Sequence, residues 1–239
     1  LGGELTDDVR AALLPACMRA ETEVAGAPTG GMDQSVSLFA REGSALLLDF
    51  TDSSRTQVPL DLAAAGLAFL VVDTRVSHAL VDGGYAARRA DCERAAGLLG
   101  IPTLRQARLE DVDRLDEERV RRRVRHVVTE IARVEEVVAA AAEHDWARVG
   151  RVFVESHASM RDDYEISCAE LDLAVETALS AGALGARMTG GGFGGSAIAL
   201  VPQDWVEAVG DAIAAAFAGA GFTEPGFLVP QASAGVSLG

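Results

Sequence analysis

Asp33 stands behind two glycines and a methionine in the run Gly30–Gln34, GGMDQ. A carboxylate set just after a glycine turn can be aimed into a cleft, where it could accept the proton of a substrate hydroxyl. Aspartate is also a common helix N-cap, and from spacing alone the cap is the commoner outcome. Twelve residues earlier stands Glu21. A hard cation such as Mg²⁺ needs carboxylate oxygen, often from only one or two side chains, with phosphates completing its shell. A lone glutamate on a helix is more often a solvated face. The run Gly190–Gly195, GGGFGG, fits G-x-G-x-x-G as a string. A dinucleotide fingerprint needs a strand before it and a helix after it. Here helix-like sequence precedes and a strand-like run follows, so that reading is rejected. Glycines at 190, 191, 192 and 194 still let the backbone approach a ligand closely. A flexible linker is the bland alternative; Arg187, Met188 and Thr189 on one side and a strand on the other favour a packed loop.

Three further clusters carry weaker signals. Tyr85 follows the glycine pair in DGGYAARR (82–89) at the start of a helical pattern. It could touch a sugar with its ring and hydroxyl, or simply anchor the helix, and the two are equally open. The run ESHASMRDDYEIS (155–167) puts His157 and Arg161 on one helix face. No second histidine at metal spacing accompanies them, so a hydrogen-bonded cluster between elements is expected rather than zinc. The run RVRRRVR (119–125) is broken by Val120 and Val124 at core spacing and follows Asp116, Glu117 and Glu118, so a solvated helix face is expected.

These groups must be positioned by a chain of 239 residues with a net charge of −15, in which every basic residue is arginine. So acidic a field disfavours a sequence-independent grip on DNA or RNA. No apolar run reaches the roughly 18 to 20 residues a membrane helix needs. Three scattered cysteines and the lack of a signal-peptide plan point to the cytoplasm. Helical periodicity covers 6–24, 85–99, 117–142, 146–160, 169–181 and 205–218. Apolar runs at 45–50, 67–72 and 196–201, with a short one at 227–229, are strand candidates. The mix is α+β, without a regular βαβα alternation. The chain opens on leucine in helix-like sequence, which suggests a start inside a larger protein.

Taken together and in order, PTGGMDQSVSLFAREGSALLLDF (28–50), VVDTRVSHALVDGGYAARRADCERAA (71–96), ESHASMRDDYEIS and RMTGGGFGGSAIALVP (187–202) resemble the galactokinase family of the GHMP kinase superfamily. The resemblance spans essentially the whole chain. It implies a two-lobed fold with an active site between lobes. Residues 1–66 would be the remainder of a ribosomal S5-like N-terminal lobe, and 67–239 a partly ferredoxin-like C-terminal lobe. It implies ATP and Mg²⁺ as cofactors and D-galactose as the acceptor, phosphorylated at its anomeric hydroxyl by a monomer that needs no nucleic acid or membrane. Asp33 falls at the family's catalytic aspartate, Glu21 at its Mg²⁺ ligand, Gly30 and Tyr85 at its sugar contacts, and the 190–195 loop at its third motif, near the phosphates. The closing PQASAGVSLG is similar to how members end. The family's first motif and its Ser- and Gly-rich phosphate loop have no counterpart among these residues, so the chain by itself is expected to be inactive. Asp82-Gly83-Gly84 replaces the usual Ser-Glu before the tyrosine, and Asp73-Thr74 a usual Asn-Ser/Thr. A kinase for N-acetylgalactosamine or another sugar, and a silent sensor of galactose and ATP, remain open beside the galactose kinase.

Overall fold

The computed structural model describes residues 5–26, 30–77 and 84–237. Asp82 and Gly83 lie outside them, as does the side chain of Tyr85. The chain divides into two compact units, one running to Asp61 and taking in the stretch from Gln231, the other running from Leu62 to Pro230.

In the first unit helix α1 (Asp7–Arg19) starts at Thr6, whose hydroxyl accepts from the Val9 amide at 3.4 Å, with Asp7 and Asp8 in the first turn. The acidic pair suits the positive end of the helix dipole. Pro15 lies inside the helix, where it has no N–H to give. The helix runs on into a wider π turn, Ala20–Val24, which carries Glu21. Helix α2 (Met32–Phe39) buries Ser35, Leu38 and Phe39. Strands β1 (Ser44–Asp49) and β2 (Ser54–Pro59) form an antiparallel hairpin in register from Ser44↔Pro59 to Asp49↔Ser54. Strand β2 carries no apolar run: only Val58 is buried, so its sequence reads as turn. The closing stretch returns to this unit through bonds from Gly235 to the Ala40 carbonyl and from Val236 to the Ser37 carbonyl, both 2.8 Å.

The second unit holds a four-stranded antiparallel sheet in the order β4-β5-β3-β6, built from β3 (Leu67–Ser77), β4 (Gly185–Thr189), β5 (Gly194–Pro202) and β6 (Gly226–Leu228). Helices α3 (Gly84–Leu99), α4 (Glu118–Ala142), α5 (Trp146–Ser159) and α6 (Ala169–Ser180) lie between β3 and β4, and α7 (Val206–Ala220) between β5 and β6. With α6 and α7 as the two crossovers this is the βαββαβ order of a ferredoxin-like sheet. One core packs Leu70, Val72, Met188, Ala199 and Val201 of the sheet against Leu171 and Val175 of α6 and Val209, Ile213 and Phe217 of α7. A second joins Ala95 and Leu99 of α3 to Val120 and Val124 of α4. The helical stripe predicted for α4 thus buries two of its valines as expected.

The expected solvated face of the 119–125 run needs correction. Arg123 is 1% exposed. Its guanidinium reaches Asp91 of α3 at 3.3 Å and Glu165 at 2.5 Å, and donates to the Asp163 carbonyl. The acidic partners come from distant sequence, so the local pattern gave no sign of them.

Candidate active site

Asp33 sits in the first turn of α2, exposed, one residue past the start. The N-cap position belongs to Gly31 at φ 85°, which makes no side-chain cap bond. Asp33 is therefore not the cap, the bland alternative that its residue type raised. Left-handed backbone favours glycine at 31. A Cβ there would also lie 2.9 Å from Sδ of Met18 on α1. Gly30, Gly31 and Met18 line a pocket of about 110 Å³ together with Ser35, Asp49 and Arg55.

Glu21 lies on the π turn, a helix irregularity that often marks functional positions. Its Oε2 accepts a hydrogen bond from the side-chain amide of Gln34. Gln34 is the neighbour of Asp33, so the turn carrying Glu21 is tied to the helix start carrying the candidate base. Among the described residues no three His, Cys, Asp or Glu side chains gather as a metal cage. One carboxylate near the start of a turn suits a Mg²⁺ ion that arrives with phosphates and takes a single protein oxygen.

The glycine loop belongs to the second unit, as the turn from β4 to β5. It is packed, not a linker. Positive φ occurs at Gly190 (82°), Gly192 (85°), Phe193 (62°), Gly194 (132°) and Gly195 (83°). The glycines serve different needs. A Cβ at Gly192 would meet the Ile166 carbonyl oxygen at 2.6 Å, and one at Gly194 the Val76 carbonyl oxygen at 2.4 Å. At Gly191 no positive φ is required and nothing lies within 4 Å of the Cβ position. The protein's own packing thus explains Gly192 and Gly194, and places no such demand on Gly191. The Phe193 amide donates to the Ile166 carbonyl at 2.6 Å, and the buried Thr74 hydroxyl donates to the Gly195 carbonyl at 2.7 Å. Thr74, the neighbour of the departure at Asp73, thus fixes the exit of the loop. Tyr85 lies in the first turn of α3.

Behind the loop His157 of α5 is 3% exposed. Its Nδ1 accepts from the Met188 amide at 3.2 Å, and its Nε2 lies 3.2 Å from Asp172 of α6. Burial holds its pKa below the ordinary value. This is the expected cluster between elements, joining α5, β4 and α6. Arg187 crosses to Glu130 of α4 at 3.1 Å, and Ser156 also donates to that carboxylate. Burial pushes the Glu130 pKa up, but Ser156, Arg187 and Arg133 outweigh it and leave the group below its usual range.

Sequence reasoning missed the arginine ties to the segment 162–165. Arg122 donates to the Asp162 carbonyl at 3.1 Å, Arg123 to that of Asp163, and Arg88 to those of Tyr164 at 2.6 Å and Glu165 at 3.0 Å. The arginines were visible, but carbonyl acceptors have no sequence signature.

Residues 137–219 match the family model "GHMP kinases C terminal". The galactokinase of Streptomyces coelicolor is 55% identical over 224 residues, 92% of this chain and 58% of that protein. The chain therefore spans a little over half the length of the curated relatives it matches. The crystal structure of Lactococcus lactis galactokinase complexed with galactose superposes with a TM-score of 0.88 at 32% identity, covering 96% of this chain and 61% of that one. The mevalonate kinase of L. major, in complex with R-mevalonate, shares the fold at a TM-score of 0.59 and 22% identity over 94% of this chain and 59% of its own. Among the described residues no helix is long and apolar enough to cross a membrane. The sheet order, the packed glycine turn and these likenesses agree: the chain has the GHMP kinase fold, matches the GHMP kinase C-terminal model over 137–219, and is similar to galactokinases over nearly its whole length.

Proposed function

We propose that the chain is the base-bearing and loop-bearing part of a galactokinase, which transfers the γ-phosphoryl group of ATP to the anomeric hydroxyl of D-galactose. The observation that carries this reading is the likeness to galactokinases, including one whose structure holds galactose. Asp33 accepts the hydroxyl proton as the sugar oxygen attacks phosphorus. The bond from phosphorus to the β,γ-bridging oxygen breaks, and ADP departs with that oxygen. Gly30 leaves room for the sugar beside Asp33, and the resemblance assigns Tyr85 a sugar contact as well. The open backbone at Gly191, with Gly190, Gly192 and Gly194 shaping the turn, faces the phosphates. Glu21 supplies one oxygen to Mg²⁺, which when bound neutralises phosphate charge. Such transfers depend on positioning and charge stabilisation more than on covalent work by the protein. The three free cysteines fit a reducing compartment such as the cytoplasm.

The Ser- and Gly-rich phosphate loop has no counterpart within these residues, so the ATP cradle must come from outside them. The test is galactose-dependent ADP release, with galactose 1-phosphate as product. It is run on the chain alone and on the chain co-expressed with the unmatched portion of the S. coelicolor galactokinase. Turnover is expected only in the second case, and Asp33→Asn should cut it by roughly 10²-fold or more, the lower end of what a positioned base contributes. Near-normal turnover by the Asn variant would remove Asp33 from the role of base.

A further inference from the structure

The end of the helix formed by α5 and the π turn Met160–Tyr164 is held in an unusual way. The last carbonyls of a helix have no partner within it and are commonly left to water or a glycine cap. Here four consecutive carbonyls, from 162 to 165, are each taken by a guanidinium from another helix: Arg122 and Arg123 of α4 take the first two, Arg88 of α3 the last two. The chain then turns sharply at Glu165, a non-glycine residue at φ 56° and ψ 52°. The Glu165 carboxylate meets Arg122 at 3.0 Å and Arg123 at 2.5 Å. The next carbonyl, that of Ile166, is the one that accepts from Phe193 in the glycine loop.

Arg88 touches the loop a second time. Its guanidinium carbon lies 5.8 Å from the centre of the Phe193 ring, within range of a cation–π contact. The same ring closes on Gly84 at the start of α3, where a Cβ would come within 2.9 Å of it. Phe193 itself sits at φ 62°, a left-handed conformation that strains a non-glycine residue. Such a conformation persists only where the surroundings over-determine it. The amide bond, the ring contact and the fit against Gly84 do so, and two of the three pass through Arg88 or the segment it holds.

We infer that Arg88 is a positioning residue for the glycine loop, fixing its shape by gripping both the 164–165 carbonyls and the face of Phe193. Arg88 also lies three residues along α3 from Tyr85, so the helix that starts at the candidate sugar contact carries the clamp of the candidate phosphate loop. The functional consequence rests on the phosphate-loop reading above; the clamp itself does not.

The test is amide hydrogen exchange on the full chain, comparing Arg88→Lys and Arg88→Ala with the unaltered protein and taking the amides of Leu70–Val72 in the central strand as an internal reference. Lysine keeps the charge but loses the forked grip on two carbonyls. We expect the Phe193 amide and its loop neighbours to exchange at least tenfold faster in Arg88→Lys, and faster still in Arg88→Ala, with the reference strand unchanged. A reference strand loosened as much as the loop in both variants would mean a general loss of stability, and would overturn the inference. So would loop exchange that stays at the original rate. MgATP affinity, measured in the completed two-part protein, separates the two readings. A loosened loop with unaltered affinity in both Arg88→Lys and Gly191→Ala leaves the clamp standing and sinks the phosphate role.

Discussion

At the scale of single residues, the glycines of the 190–195 turn make unequal demands, and the inequality is what makes the site testable. Gly192 must be glycine twice over: its φ is 85°, and a Cβ would press on a backbone carbonyl at 2.6 Å. Neither demand applies at Gly191, where added carbon would meet open space. Gly191→Ala should therefore leave the melting temperature within about 2 °C, because a compatible surface substitution shifts stability by less than ~0.5 kcal/mol. If a phosphate approaches that backbone, the same variant should weaken MgATP binding about tenfold in the completed protein. Gly192→Ala should do the reverse in order of cause, lowering stability first by about 1–3 kcal/mol through overpacking and strain. Calorimetric melting beside nucleotide titration separates the two. An affinity unmoved by Gly191→Ala would take that residue out of the phosphate site.

At the scale of elements, strand β4 meets helix α5 backbone to backbone. A Cβ on Gly150 would stand 2.2 Å from the Leu184 carbonyl oxygen, and one on Gly185 2.2 Å from that of Gly150. The two glycines let helix and strand approach until neither has room for a methyl group. That contact sets where β4 lies, and β4 delivers Met188 to His157 and leads into the glycine turn. Gly150→Ala should cost about 3 kcal/mol, at the upper end of overpacking, and lower the melting temperature by roughly 10 °C. Gly97→Ala on α3, where nothing lies within 4 Å of the Cβ position, should be neutral or slightly stabilising, since alanine favours a helix by up to ~1 kcal/mol. Equal melting of the two variants would mean that the α5–β4 contact is looser than the geometry states. The same contact explains why β4 escaped the sequence. Strands were legible where apolar runs marked them, at β1, β3 and β5, and helices where three-and-four spacing did. Strand β4 is small and mixed (GARMT) because the helix crosses it so closely, and β2 is polar because only Val58 turns inward. Of the candidate residues, Asp33, Glu21 and the glycine run could be picked out by type and order. The arginine clamp could not, because its acceptors are main-chain carbonyls some forty to eighty residues away.

At the scale of the molecule, stability against acid follows from two buried histidines more than from the net charge. His126 on α4 stacks on Tyr164 with ring centres 4.3 Å apart, and its Nδ1 lies 3.0 Å from the Ser159 hydroxyl. Burial lowers its pKa to about 4 from 6.5. Between those values the unfolded chain takes up a proton that the folded chain refuses, so folding loses stability as pH falls from 6.5 toward 4. The slope is at most ~1.4 kcal/mol per pH unit for one such group, roughly 3 kcal/mol over the window. His157 acts in the same direction, since its protonation would also take away the acceptor of the Met188 amide. Below the ordinary carboxylate value Glu130 adds to the loss: its folded pKa is depressed, so its contribution is complete above 4.5 and disappears as pH falls through the folded value. The opposing effect is relief of self-repulsion in a chain of charge −15. Carboxylates with ordinary pKa values near 4 scarcely titrate between pH 7 and 5.5, so in that interval the histidines win. Urea unfolding at constant ionic strength should give a free energy lower at pH 5.5 than at pH 7 by about 1–2 kcal/mol. His126→Asn keeps a polar partner for Ser159 and removes the titration. It should be less stable at pH 7 yet lose visibly less on acidification. A variant with the slope of the unaltered protein would place the acid sensitivity elsewhere than α4.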